Sequence, residues 1–285
     1  MKYYIKALQN YANFNSLFIL LIFLISCTDK NSKSSTADQE NPLLVAWDFS
    51  KPKKLTYSFS QSFEGYFTMN REQEPQTDKF IEQGRLRIDV NNNQLADLVL
   101  YDLVSSRISY ISENSTNDTL QLNQPDRIIT GMQPDKNFGD SGPDIFYKMI
   151  FPLPEKSLQI GETANIPMEM PFNAGTASLK VQGENQLTFT GYTTYKSYEC
   201  AVLKGNIDIS TIHLPAHLEG IYESALQGTG TYYFDPLLKH YVAVELDLNI
   251  HMKMDVPAKD PGNQEMYSDA QTNLKIEISL ENIDE

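Results

Sequence analysis

Residues 241–256 read YVAVELDLNIHMKMDV, and their alternation decides the fold. Val242, Val244, Leu246, Leu248, Ile250, Met252, Met254 and Val256 take every second place, while Tyr241, Ala243, Glu245, Asp247, Asn249, His251, Lys253 and Asp255 fill the others. A period of two sends these sets to opposite faces of a β-strand, one apolar and one polar. At about 3.3 Å per residue, fifteen residues in one register reach roughly 50 Å. Strands usually stop at about 3–10 residues, and a body of this mass has a radius of gyration near ~18 Å. The sheet must therefore coil or bend around its contents.

The same signature recurs on either side. Leu55, Tyr57, Phe59, Phe63 and Phe67 alternate with Thr56, Ser58, Ser60, Ser62 and Glu64, and Gln61 and Gly65 interrupt the apolar set where a bulge or bend is expected. Leu86, Ile88 and Val90 alternate with Arg85, Arg87 and Asp89, and Leu274, Ile276, Ile278 and Leu280 with Lys275, Glu277, Ser279 and Glu281. Further strands are expected near 94–104, 106–112, 126–132, 163–170, 176–183, 186–192, 197–210, 218–226 and 229–234. The fold class is all-β: a strongly curved antiparallel sheet, either a half-barrel or a barrel-like meander, with at most one or two short helices. One helix is expected after Asp140-Ser141-Gly142-Pro143-Asp144, where a capping Ser, an early Pro and an early acid precede Ile145 to Ile150 and Pro152 ends the run.

The amino terminus carries a different pattern. Lys2 and Lys6 precede an unbroken apolar run from Leu17 to Ile25, closed by Ser26 and Cys27, with no acid before them. That is the order of a secretory signal, and nine apolar residues fall far short of the roughly 20 that a membrane-spanning helix needs. Leu24-Ile25-Ser26-Cys27 resembles the lipobox of bacterial lipoproteins. The resemblance implies cleavage before Cys27, acylation of Cys27, and stable membrane anchoring through more than one chain. Thr28 stands where many inner-membrane lipoproteins carry an aspartate, so the resemblance implies an outer-membrane anchor facing the periplasm or the cell surface. The organisation is a signal peptide over 1–26, a lipidated end and disordered tether over 27–40 with no large apolar residue, and a β-rich domain over 41–285 with a subdivision possible near 152–161.

Composition narrows the function classes. Beyond the leader, 21 basic residues face 37 acids, a formal charge of −16. Such a surface repels phosphate backbones, and the densest basic cluster, Lys51, Lys53 and Lys54, is interrupted by Pro52. Nucleic acid is therefore excluded as a partner. With Cys27 lipidated, Cys200 has no disulfide partner, and it lies in the strand-like Tyr198 to Leu203, where a free Cys behaves as a small hydrophobe.

No catalytic, cofactor or metal residue is assigned. His213 and His217 have the spacing of two ligands on a helix, but Pro215 between them opposes the helix. Asp135, Asn137, Asp140 and Asp144 offer oxygen ligands at short spacing, yet Gly139 stands at the third ligand position of a calcium loop and no Glu closes it. Nucleophile elbows, phosphate-cradling loops and Cys-x-x-Cys pairs are absent from the sequence. Asp118-Thr119-Leu120 resembles the O-glycosylation acceptor of Bacteroidetes envelope proteins. Residues 151–163 and 228–235 look like phrases of uncharacterised β-rich bacterial lipoproteins, which implies an envelope protein without catalytic assignment. The expectation is a non-enzymatic, membrane-anchored lipoprotein whose curved sheet takes a lipid or another hydrophobic ligand. The alternatives are a module that holds another envelope protein and, third, a polysaccharide hydrolase.

Overall fold

The computed structural model describes residues 42–72, 75, 77–109, 118–135, 145–174, 177–215, 220–257 and 266–284. The segments expected to be a signal peptide and a tether, with Cys27, lie outside them. Eleven strands form one antiparallel sheet: β1 (Lys53–Thr68), β2 (Thr77–Val90), β3 (Ala96–Ser109), β4 (Asp118–Asn123), β5 (Arg127–Met132), β6 (Thr163–Ala174), β7 (Ala177–Tyr195), β8 (Tyr198–Ile212), β9 (Ile221–Asp235), β10 (His240–Val256) and β11 (Met266–Asp284). Among the described residues one short helix, α1 (Ile145–Ile150), lies between β5 and β6. The all-β expectation holds, and the sheet is open and curved rather than a closed barrel, its order running β4-β3-β2-β1-β11-β10-β9-β8-β7-β6.

First and last strands meet in the middle. β1 pairs with β11 from Lys54↔Asp284 to Thr68↔Asp269, and two meanders run outward from that seam. At one edge β4 and β5 pair with the two halves of β3, like one strand broken at Pro125. At the other, β6 carries Pro167 and Pro171, which pair with Glu184 and Lys180 of β7. Proline cannot donate to a ladder, so both edges are poor templates for a further strand.

Turn chemistry fixes the registers. The β7–β8 hairpin closes over two residues, Lys196 (φ 47°) and Ser197 (φ 72°), between the pair Tyr195↔Tyr198. Two positive φ values match the twist of the flanking strands. The β1–β11 register runs unbroken through Gln61 and Gly65, where a bulge or bend was expected; a Cβ at Gly65 would lie 2.1 Å from the Gln271 carbonyl oxygen, so the two central strands approach as closely as only glycine allows. The register shift of β1 itself falls earlier, between Thr56 and Tyr57.

Three expected breaks are absent. β3 runs through Ser105, β7 through Glu184 and Asn185, and β9 through Gly228. At each, the side chain is polar or missing while the backbone stays in its ladder; Ser105 bonds Glu82, and Asn185 donates to the Tyr232 hydroxyl at 3.3 Å. β4 was not among the expected strands.

The core sits on one face, here called inner. Along β10 the even positions from Val242 to Ile250 are buried, as are Leu274 to Leu280 of β11 and Leu55 to Phe59 of β1. What covers them is not strand. Leu43, Val45, Trp47 and Phe49 alternate inward along an extended lead-in, and Phe146, Tyr147 and Phe151 come from α1 and its exit. Trp47, Phe151 and Tyr241 meet with ring centroids 5.2–5.5 Å apart, edge-on and tilted, an arrangement that aromatic quadrupoles favour. Their polar ends are satisfied where they point at backbone: Tyr57 donates to the Tyr241 carbonyl at 2.9 Å, and Tyr241 donates to that of Pro152.

Candidate functional site on the inner face beyond the core

The long strands continue past the aromatic core. Residues 251–256 of β10 and 266–270 of β11 are half-buried on both faces, as are Gly65 to Thr68 of β1. Register places tall side chains beside short ones there. Phe67 and Met252 flank Ala270, Met254 lies beside Ser268, and Gly65 and Ile250 flank Thr272. The short Thr272, Ala270 and Ser268 thus form the floor of a furrow on the inner face of β11, between walls of Phe67 on β1 and of Met252 and Met254 on β10, with Phe63 one step back opposite Leu274. Phe63, Met252 and Met254 pack against the edge of the core. Phe80 extends the first wall, its ring centroid 6.0 Å from that of Phe63 in a T-shaped contact. Unbranched, polarizable Met and flat Phe walls adapt to an apolar partner of variable shape.

Four polar side chains mark the boundary between this furrow and the core. Glu82 of β2 is fully buried, and both its oxygens are used: Gln61 Nε2 donates to Oε2 at 2.8 Å, while Ser105 Oγ at 3.0 Å and Arg127 Nη2 at 2.9 Å donate to Oε1. Strands β1, β2, β3 and β5 are thereby cross-linked on one face. Burial pushes the Glu82 carboxyl up, and the Arg127 guanidinium and the Ser105 hydroxyl pull it partly back. Among the described residues, Arg127 Nη1 and Ser224 Oγ are two of the buried side-chain atoms that make no hydrogen bond. Ser224 pairs across the strand with Met252, on the furrow's second wall.

Glu82 and Arg127 were missed as a site in the sequence. The signal was present for Glu82, which falls directly on the inward parity of Leu86, Ile88 and Val90, the extra residue of the register shift lying on β3 between Tyr101 and Val104. Arg127 gives no such sign, since its partner is 45 residues away.

The outer face carries shallower features. Two adjoining depressions of about 490 and 430 Å³ share Gln186 and Asn206, and their walls are mostly Thr, Gln, Asp and Lys. Glu184 and Asp208 stand directly opposite each other in the first. Asp208 is held low by hydrogen bonds from Ser210 and Gln227, the reverse of what a proton donor in glycoside cleavage requires.

The remaining residues singled out in the sequence do not converge. Cys200 is buried, and burial pushes its thiol up to about 12, so it carries almost no thiolate at neutral pH. His213 is exposed in the loop after β8, while His217 lies outside the described residues. Asp135 is exposed, and Asn137, Asp140 and Asp144 also lie outside. Among the described residues no group of three His, Cys, Asp or Glu side chains is placed to hold a metal, and no helix is long and apolar enough to cross a membrane. No protein-family model matches the chain, and no curated protein matches it either.

Proposed function

We propose that this chain is a non-catalytic envelope lipoprotein, anchored to the outer membrane through acylated Cys27, which holds a lipid or similar hydrophobic molecule along the furrow of β11. The observation that carries the reading is the register of β1, β11 and β10, which sets the short floor of Ser268, Ala270 and Thr272 between walls of Phe67, Met252 and Met254, with Phe63 one step back. An acyl chain is long, narrow and apolar, and a one-residue-wide trough with adaptable walls suits it better than a compact ligand. The tight aromatic core at the other end of the strands supplies rigidity, so ligand binding need not organise the fold.

Native mass spectrometry of the full lipidated chain, extracted gently from the membranes of its own host, tests both halves. Acyl mass that stays on the chain after unfolding supports the anchor at Cys27. A stoichiometric lipid-sized adduct that leaves on unfolding, and is missing from Met252→Asp/Met254→Asp, supports the furrow. Protein bearing its acyl mass alone would overturn ligand binding and direct the search, by crosslinking, to a protein partner.

A further inference from the structure

The β9–β10 turn presents Leu237 at 86 % exposure and Leu238 at 41 %. Two adjacent leucines held in water at a hairpin tip are costly unless something covers them. The turn is built firmly: buried Asp235 accepts the amide hydrogens of Leu237 and Leu238 through Oδ1, at 2.8 and 2.9 Å. Around it gather the densest lysines in the sequence of an acidic chain. Lys239 follows the leucines, and its carbonyl accepts the Asp48 amide at 3.0 Å. Lys53 reaches Asp48 at 3.9 Å, with Lys51 and Lys54 exposed beside it. The acids of the group are Asp48, already paired, Asp284, opposite Lys54, and Asp235, buried beneath the turn. Four bases against three acids, on a body of formal charge −16, make a local reversal of sign.

We infer that this tip docks on the anionic bilayer surface, its leucines entering the headgroup region and its lysines meeting lipid phosphates. Position supports the choice of a membrane over a protein. Asp48 touches the tip, so Pro42, six residues earlier, lies within roughly 20 Å of it. Fourteen residues separate Pro42 from Cys27, and a flexible chain of that length spans about 20 Å. A tether of this reach keeps the tip close to the surface, where a patch too weak to bind alone becomes occupied. The tether depends on the proposed acylation; the composition of the tip does not.

The experiment reconstitutes the full chain into vesicles of phosphatidylethanolamine and phosphatidylglycerol bearing a headgroup nitroxide quencher. A fluorophore is placed on Ser50→Cys at the tip end or on Met69→Cys at the other end of β1, roughly 50 Å away; buried Cys200 does not compete for label. The tip label should be quenched and the far label spared. Lys51→Gln and Lys54→Gln should each lower the ratio of docked to undocked protein about fivefold, and Leu237→Ser/Leu238→Ser should abolish the contrast. Equal quenching at both ends, quenching of the far label alone, no quenching at either, or indifference to these substitutions would overturn the inference. Intact mass separates this from failure of the anchor: a chain lacking acyl mass is instead held on nickel-chelating lipid through an amino-terminal histidine tag, and the same contrast between labels then scores the tip.

Discussion

The two halves of β10 follow one sequence rule and meet different fates. From Val242 to Ile250 the even positions are buried and most odd ones exposed; from His251 to Val256 the residues alternate in kind as before, yet all six are half-buried. Periodicity therefore assigns a face but does not say what lies against it. In the first half the cover is Trp47, Phe49, Phe146 and Phe151, none of them in a strand. In the second, short residues on β11 separate tall ones that pack only against the edge of the core and stay half-buried.

Removing the cover should have the largest effect. Phe151 is fully buried and touches Trp47, Tyr57 and Tyr241. Phe151→Ala should cost about 3–5 kcal/mol, measured by denaturant unfolding. A loss under about 1 kcal/mol would mean that the aromatic cluster does not hold the first half together.

At the boundary, Arg127→Ala leaves fully buried Glu82 without its cation and should cost ~3 kcal/mol at neutral pH. The sign of its pH dependence follows from the raised carboxyl. Stability associated with such a group is present at acid pH and is lost as the pH climbs through its elevated folded value. Without Arg127 that value rises further, so the deficit of the variant should shrink on acidification. Unfolding curves of both proteins across the carboxylate range would show it, and a deficit independent of pH would deny Glu82 its charge.

Beyond the boundary, truncation should matter little to stability and much to binding. Met252→Ala and Met254→Ala remove half-buried side chains and should cost about 1 kcal/mol each. The same pair should strip the lipid-sized adduct from the native protein. Equal losses here and at Phe151 would erase the distinction between the halves.

Much of the fold is legible because one-faced strands must alternate. The curved antiparallel sheet, the central β10 and the helix at Ile145–Ile150 all follow from spacing and punctuation. The seam of β1 with β11 does not, since nothing local in Phe59 reports that Ile278 lies opposite it. Strand breaks were overcounted for a related reason: polar Ser105 and Asn185 look like interruptions until their partners Glu82 and Tyr232 are in place. The furrow was half visible. Phe59, Phe63, Met252 and Met254 stand out in the sequence as an apolar lining, but Phe59 lies in the packed core, and the floor is defined only by what the small residues of β11 sit between.

The finest test of the contrast uses sulfur chemistry, with almost no change in stability. Cys200 is fully buried at the core end of the sheet, and its thiol, pushed up to about 12, holds roughly a thousandth of the thiolate of an ordinary cysteine at the same pH. It should react with a thiol reagent only as fast as the first half opens. Met254→Cys puts a second thiol at a half-buried position of similar shape, where side-chain exposure needs no opening. In the folded full chain carrying Cys27→Ser, this thiol should be consumed in a fast phase and Cys200 in a slow one, and denaturant should accelerate only the latter. A bound lipid should protect Met254→Cys and leave Cys200 unchanged, because the ligand covers one half of the strands while the protein's own lead-in and helix cover the other. A single common rate would show that the two halves open together and that the furrow is no more accessible than the core.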